Sequence, residues 1–327
     1  MIWVQGLEKW PEPGRPLYLA LGNFDGVHRG HQLILNRTVD MARQNGGVSA
    51  VLVFNPHPQA LFKPDLPFSM LTDLHSKAEL IAALGVDYLI IQKFNLQLAS
   101  TPPEVFVNKY LWEKLKVSGV IIGEDYSFGR EGQGTPFTMR RLAKKYGFSV
   151  EVCPLLKYNG RLASSSAIRE LINSGAVSEA SGLLNYYFFR YGQVVRGAGR
   201  GNQLLYPTAN LKVSSGLLWP GKGVYLTAVE GAAEQVCFGV TNVGGTPTFQ
   251  QETMSVETHI LSFNGRLYGK TLKIYFLERL REIISFNDPQ DLKKQIARDI
   301  SLASKILDTE YQLFRTGFLE TAGSINR

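Results

Sequence analysis

From residue 17 to about 175, short apolar runs alternate with stretches whose apolar residues recur every three or four positions. The runs cover 17–21, 48–54, 88–91, 117–122 and 149–153. Each reads as a buried strand, because a strand covered on both faces is apolar at successive positions. The stretches near 31–44, 75–84, 103–115 and 136–146 read as amphipathic helices, several stopped by glycine at Gly46-Gly47, Gly85 and Gly147. Strand-helix alternation of this kind predicts a parallel sheet with helices on both faces.

After about residue 185 the pattern changes. Segments 188–196, 223–230, 236–241, 255–263 and 271–277 are β-rich and separated by Gly, Pro, Asn and Thr turns. Closely spaced strands with such turns predict a small antiparallel barrel. A helical tail follows, with Leu292, Ile296, Ile300, Ala303, Leu307, Tyr311 and Phe314 on one stripe that would seal the barrel from one side. The chain therefore divides into an α/β domain over 1–184 and a β-barrel domain over 185–327. A length of 327 residues agrees with two cores rather than one.

Composition narrows the picture. With 44% hydrophobic and 19% charged residues the chain is a folded globular protein. The net charge of +7 and pI near 9.3 suit polyanionic partners, but Lys and Arg are scattered without a basic stripe. Nucleic acid is therefore not expected as a partner. Cys153 and Cys237 lack metal-ligand spacing, which argues against a zinc site or a disulfide scaffold. No apolar run is long enough to span a bilayer, and residues 1–10 lack the basic start and apolar core of a signal peptide. A cytoplasmic protein without membrane partners is expected, and a homo-oligomer is left open.

Chemistry concentrates first at Gly22-Asn23-Phe24-Asp25-Gly26-Val27-His28-Arg29-Gly30-His31, directly after the first strand and opening the first helix. Free amides and the helix dipole favour an anion at such a junction. His28 and His31, one helical turn apart, could donate to phosphate oxygens that gain charge during attack. A metal pair lacks a third ligand nearby, and simple capping is the structural alternative. A second element, Ser164-Ser165-Ser166-Ala167-Ile168-Arg169, places hydroxyls and a guanidinium at a helix start, where they would hold phosphates or merely cap the helix.

In the second half, Thr208 and Asn210 share a strand face and offer oxygen ligands suited to Mg²⁺ on ATP phosphates. The glycines Gly197, Gly199 and Gly201 would let backbone amides approach phosphate. Glu257 and His259 share the face opposite Val256 and Thr258, where a carboxylate could accept a hydroxyl proton. Gly216-Leu217-Leu218-Trp219-Pro220-Gly221-Lys222-Gly223 approaches a Walker A loop, but no Ser or Thr follows Lys222 and a strand is expected next.

The H-x-G-H and S-S-S-x-I-R strings resemble the nucleotidyltransferases with a Rossmann-like fold. The fuller strings at 21–32, 53–58 (VFNPHP), 122–129 (IGEDYSFG), the P-T-A-N at 207–210 and the V-E-T-H-I at 256–260 resemble the prokaryotic bifunctional riboflavin kinase/FAD synthetases. That resemblance implies phosphorylation of riboflavin to FMN by the second domain and adenylylation of FMN to FAD by the first, with ATP as co-substrate and Mg²⁺ as cofactor. It implies that His28 and His31 stabilise the transition state at the ATP α-phosphate and that Asn23 contacts it. Gly22, Phe24, Asp25, Gly30 and Ser164 complete the nucleotide-binding set, while Ser165, Ser166 and Arg169 hold the departing pyrophosphate. Mg²⁺ and ATP go to Thr208 and Asn210, and the base role to Glu257. Flat walls for the flavin are expected from Phe54, His57, Phe62, Tyr126 and Phe128, with Asp125 beside a ribose hydroxyl or phosphate and Arg281 beside flavin or nucleotide. The chain departs from the family pattern at Gly132, Ser166, Leu205 and Ser262. Leu205 and Ser262 motivate a narrower alternative, an FAD synthetase with a weak or non-catalytic kinase module.

Overall fold

The computed structural model describes residues 1–62, 69–196, 206–247, 252–286 and 288–309, with the side chains of 62, 246, 247, 252 and 253 outside that description. The expected roles of Gly197, Gly199 and Gly201, of Leu205, of the Phe62 side chain, and of Tyr311 and Phe314 in the tail lie outside the described residues. The chain divides into two compact units, Met1–Ser165 and Ser166–Arg327.

In the first unit the expected strands form β2 (Leu17–Leu21), β3 (Val48–Asn55), β4 (Tyr88–Lys93), β5 (Val117–Gly123) and β6 (Ser149–Cys153). A strand that the apolar pattern did not announce, β1 (Ile2–Gln5), adds to the edge beside β4. Its burial reads exposed-exposed-buried-exposed, so only Val4 carries a core signal and the run is too short to stand out. All five pairings are parallel, in the order β1-β4-β3-β2-β5-β6. Every residue of β2 is buried, as the central strand of a sheet covered on both faces must be.

The covering helices are α1 (Arg29–Gln44), a short α2 (Pro58–Phe62), α3 (Leu74–Ala83), α4 (Leu96–Ala99), α5 (Pro103–Phe106) and α6 (Pro136–Tyr146). α1 buries Ile34, Leu35, Thr38, Val39 and Ala42, the stripe its helical period requires. The segment after α5, Val107–Lys114, continues in wider π-helical hydrogen bonding and still buries Val107 and Leu111. α6 stops at Gly147, which takes the left-handed conformation that glycine adopts without a Cβ penalty (φ 82). A small hairpin, β7 (Lys157–Tyr158) and β8 (Arg161–Leu162), precedes Ser164 and Ser165.

The second unit opens with α7 (Ser165–Ser174, whose first residue closes the first unit) and α8 (Val177–Leu184). Both pack with the barrel, and the amide of Gly221 donates to the Ile172 carbonyl (2.9 Å). Thus the compact units part at 165/166, although the sequence pattern changes near 184. The barrel closes in the order β10-β13-β12-β11-β14-β9. Its strands are β9 (Phe189–Val195), β10 (Ala209–Leu211), β11 (Gly223–Glu230), β12 (Cys237–Pro247), β13 (Glu252–Ile260) and β14 (Thr271–Arg281), each antiparallel to its neighbours. Lys222 is followed by β11 and not by a helix, which disposes of the Walker-like string.

The tail helix α9 (Pro289–Thr309) covers the outer face of the barrel. Ala303 and Leu307 are buried with Val224, Leu226, Ala228, Val240 and Leu277, and Ile300 packs beside them. Among these apolar contacts sits one buried charge, Asp299, 4% exposed.

Candidate functional sites

Strand order in the α/β unit reverses at β2, with β3 and β4 on one side and β5 and β6 on the other. The crevice beyond the carboxyl ends of the strands at such a reversal is where open α/β sheets bind ligands. The loop at residues 22–28 occupies that position, between β2 and α1. It bends through three left-handed residues, Phe24 (φ 48), Gly26 (φ 82) and Val27 (φ 36). Non-glycine residues hold this conformation only when their surroundings over-determine it, and such strain gathers at ligand loops.

Buried polar straps provide that support. Asp25, 2% exposed, accepts hydrogen bonds from Leu71 N (3.1 Å), Thr72 N (3.0 Å) and Thr72 Oγ1 (3.2 Å). Gly26 N donates to Thr72 Oγ1 (3.1 Å), and Ser165 Oγ donates to the Asp25 carbonyl (2.9 Å). Lys77 Nζ donates to the Asn23 carbonyl (2.7 Å). Phe24 is fully buried, its ring edge-on to His31 at 5.2 Å. A Cβ on Gly22 would come within 3.0 Å of that ring. Phe24 and Asp25 therefore shape the loop from within, while Asn23 is exposed.

His28 and His31 stack at 3.6 Å with 21° between ring planes. His28 is the N-cap of α1, and its Nδ1 accepts from His31 N (3.4 Å). An accepting Nδ1 leaves the proton on Nε2, which makes that nitrogen the donor of the His28 ring. Gly30 makes room for this ring, because a Cβ there would lie 3.2 Å from His28 Cε1. His31 Nδ1 is buried and has no hydrogen-bond partner. Burial, followed by the nearness of His28 and Lys77, pushes the His31 imidazole well below its ordinary value of 6.5. Two stacked imidazoles thus stand at a helix start, and the buried Nδ1 of His31 is left without a partner there.

Aromatic walls flank the loop on the neighbouring strands. At the end of β3, Phe54 meets Phe94 at 5.3 Å, and His57 is buried with its Nδ1 accepting from Gln59 N (3.2 Å). Beyond β5, Tyr126 and Phe128 stack at 5.8 Å with a 15° interplanar angle, and Phe106 packs on Phe128. Burial raises the Tyr126 phenol well above its ordinary range. Asp125 is exposed at the same loop. Ser164 directly precedes α7, Ser165 begins it, and Ser166 and Arg169 belong to the second compact unit.

On the barrel, strand register assembles the second site. Asn210 of β10 pairs with Glu257 of β13, which pairs with Asn242 of β12. Val256, Thr258 and Ile260 are buried while Glu257 and His259 are half-buried, so the latter two share the outer face, as the alternation predicts. Thr208 lies on the same face two residues before Asn210. His259 Nδ1 donates to the Pro207 carbonyl (2.9 Å), which pins the entry to β10. Among the described residues, no hydrogen bond engages the side chains of Thr208, Asn210 or Glu257. Two neutral oxygen donors beside a carboxylate suit a hard cation that arrives with phosphates, and the described residues hold no cluster of three or more His, Cys, Asp or Glu for a resident metal.

Arg281 lies at the end of β14. Its fork grips Asp299 of α9 through Nε (2.9 Å to Oδ1) and Nη2 (2.7 Å to Oδ2), and Gln295 also donates to Oδ1 (2.9 Å). The arginine fastens the tail helix to the end of β14. Sequence reasoning did not single out Lys77, Thr72, Asn242 or Asp299. Alternation along β12 carried the signal for Asn242, whereas Lys77, although on the helical stripe of Leu74, Ala78 and Ile81, reads from sequence as a solvated lysine.

A strained loop at the switch point of a parallel sheet, followed by a barrel with a polar strand face, fits a two-module transferase acting on phosphates. The FAD synthetase family pattern matches residues 11–167, and the riboflavin kinase pattern matches residues 184–307. The chain is 31% identical to the bifunctional riboflavin kinase/FMN adenylyltransferase of Escherichia coli K12 over 296 residues, covering 90% of this chain and 94% of the relative. It is 35% identical to the enzymes of the same name from Listeria monocytogenes and Bacillus subtilis, covering 86% of this chain and 89% of each relative. The chain belongs to the bifunctional riboflavin kinase/FMN adenylyltransferase family and carries both enzyme modules. Its fold also matches a Streptococcus pneumoniae structure described as a macrolide-efflux protein, with TM-score 0.86, 28% identity, and coverage of 93% of this chain and 99% of that one. Among the described residues of this chain, no helix is long and apolar enough to cross a membrane.

Proposed function

We propose that the loop at 22–31 transfers the adenylyl group of ATP to FMN and that the outer barrel face phosphorylates riboflavin, the first activity falling within 1–184 and the second within 185–327. The observation that carries the first assignment is the stacked His28 and His31 pair at the switch-point helix start, with His31 Nδ1 unpartnered. An FMN phosphate oxygen attacks the ATP α-phosphorus, the bond to the β-phosphate oxygen breaks, and FAD and pyrophosphate result. The FMN phosphate is ionised near neutral pH, so no strong base is required. His28 and His31 donate to the α-phosphate oxygens as charge builds, and Asn23 contacts the same group from the exposed side of the loop. Ser165, Ser166 and Arg169 hold the pyrophosphate, and Phe54, His57, Tyr126 and Phe128 wall the flavin.

In the barrel, Glu257 accepts the proton of the riboflavin 5′-hydroxyl as that oxygen attacks the γ-phosphorus and ADP departs. Mg²⁺ bound to the ATP phosphates would meet the Thr208 hydroxyl and the Asn210 amide oxygen, and would offset phosphate charge. The register that sets Asn210 beside Glu257 supports this grouping.

The test is a time course with riboflavin, ATP and Mg²⁺, with flavins separated by chromatography. His28→Ala combined with His31→Ala should cut conversion of FMN to FAD by about a hundredfold or more while sparing FMN formation. Glu257→Gln should cut FMN formation by about a hundredfold and leave added FMN convertible to FAD. Loss of both activities in either variant would overturn the division of labour.

A further inference from the structure

We propose that Lys77 is a positioning residue for adenylyl transfer, orienting the peptide between Asn23 and Phe24 so that the Phe24 N–H is presented to the bound anion. The inference rests on the assignment of the 22–31 loop to that reaction. Lys77 lies on α3 within the stripe of Leu74, Ala78 and Ile81, is 6% exposed, and points its ammonium into the protein rather than to water. A buried ammonium costs several kcal/mol unless it is well paired, so a lysine with no task at this position would be expected to reach solvent.

Its ammonium donates to the Asn23 carbonyl at 2.7 Å. The peptide that follows is trans, since the cis bond among the described residues is that between Asn55 and Pro56. In a planar trans peptide the carbonyl and the next N–H point to opposite sides. Drawing the Asn23 carbonyl toward Lys77 therefore turns the Phe24 N–H away from Lys77. Among the described residues no acceptor takes that N–H, although Phe24 itself is fully buried. Phe24 also holds a left-handed conformation (φ 48), which its burial helps to fix. An unclaimed amide beside two imidazoles at a helix start is what a phosphate oxygen would accept from.

Burial pulls the Lys77 ammonium below its ordinary value, against which Asp25 and Asp73 favour its charged form; His31, depressed first by its own burial and then by His28, is depressed further by the Lys77 charge. Asp25 Oδ1 and Oδ2 accept from Leu71 and Thr72. A charged ammonium at this place lies close beneath the loop and adds to the field of the α1 N-terminus.

The experiment uses the full chain with Lys77→Met, Lys77→Gln and Lys77→Arg. Three readings are taken: kcat and KM for ATP in FAD formation from FMN, riboflavin phosphorylation in the same preparation, and the ¹⁵N-phenylalanine amide shift of Phe24 on adding inorganic pyrophosphate. Lys77→Met should lower kcat by about tenfold. It should also lose the pyrophosphate-induced shift and keep riboflavin phosphorylation. Lys77→Arg should recover most of the rate and the shift. Unchanged kcat and an unchanged shift in Lys77→Met overturn the inference, as does a fall in both activities that Lys77→Arg fails to restore. Should Lys77→Met lose riboflavin phosphorylation through misfolding, Lys77→Arg and Lys77→Gln decide, and equal shifts in those two overturn it. The His28→Ala, His31→Ala double variant run alongside separates the two levels. Intact FAD formation there removes the assignment of the loop itself, whereas its loss with a normal Lys77→Met removes only the role of Lys77.

Discussion

Replacing Asp25 with asparagine removes a charge that faces inward and leaves the exposed surface of the 22–31 loop untouched. The carboxylate uses both oxygens, Oδ2 for Leu71 N and Oδ1 for the amide and hydroxyl of Thr72. An asparagine retains one acceptor oxygen and turns an NH₂ against the other donor. If the amide oxygen keeps Thr72, the Leu71 N–H loses its acceptor at a site only 1% exposed. One charge-assisted hydrogen bond is worth about 1.5–3 kcal/mol, and a stranded buried donor costs about 1–3 kcal/mol. The two overlap, so a loss of about 2–4 kcal/mol is expected. For a unit spanning Met1–Ser165, at about 2–4 °C per kcal/mol, the melting transition should fall by about 5–15 °C. Two compact units need not melt together, so the assay must report on this one. Hydrogen exchange across residues 70–78 should quicken at Leu71 and Thr72. FAD formation should fall by about tenfold or more as the left-handed loop loosens, while riboflavin phosphorylation is kept. Native exchange at Leu71 and Thr72 together with a native rate would refute the view that buried straps hold the loop.

Other perturbations separate stability from chemistry. Gly30→Ala should slow FAD formation by about tenfold with a stability change under about 1 kcal/mol, because the added Cβ meets His28 Cε1 at 3.2 Å while alanine suits a helix; equal catalytic and thermal losses would count against that reason. Asp299→Ala strands the Arg281 fork, whose side chain is 18% exposed against 5% for Asp299, and should cost about 2–4 kcal/mol with α9 exchanging faster; unchanged exchange in α9 would show that the helix is held by its apolar stripe alone. Acid should weaken the first unit through His31, whose folded imidazole resists protonation while the unfolded one titrates near 6.5. That contribution is complete above pH 6.5 and is lost as pH falls toward the depressed folded value. Urea unfolding above and below pH 6.5 should show a smaller difference in His31→Asn than in the native chain.

The elements most legible in the sequence were those whose burial leaves a periodic trace. β2 is buried at every position and α1 at its helical stripe, so both were readable within a residue or two. β1 escaped because an edge strand with one buried residue has no period to detect. The His28 and His31 pair and Glu257 stood out as candidates because their residue types are unusual for their settings. Asp25 was readable as part of a motif but not in its role, since nothing local says that its partners lie at Leu71 and Thr72. Lys77 was hidden for a related reason. A lysine on a helix is ordinarily solvated, and only the fold brings Asn23 within 2.7 Å of it. Arg281 shows the converse, a residue type suited to a phosphate whose fork the structure gives to a carboxylate.

The two modules hold their candidate reacting groups by opposite means. In the α/β unit a strained loop is fixed from beneath by side chains distant in sequence, so each buried strap is individually important. On the barrel the groups stand on regular strands, and their alignment depends on register. A one-residue slip of β13 would turn Glu257 inward and Thr258 outward. A chain of buried hydroxyls opposes that slip. Thr227 donates to the Gly239 carbonyl (3.1 Å), which leaves its oxygen to accept from Thr241 (2.8 Å), and Thr241 in turn accepts from Thr258 (2.9 Å). All three are fully buried, so a slip would strand hydroxyls in an apolar interior at about 1–3 kcal/mol each. A polar chain inside the barrel therefore determines which face Glu257 occupies, and with it the row that Asn210, Glu257 and Asn242 form across three strands.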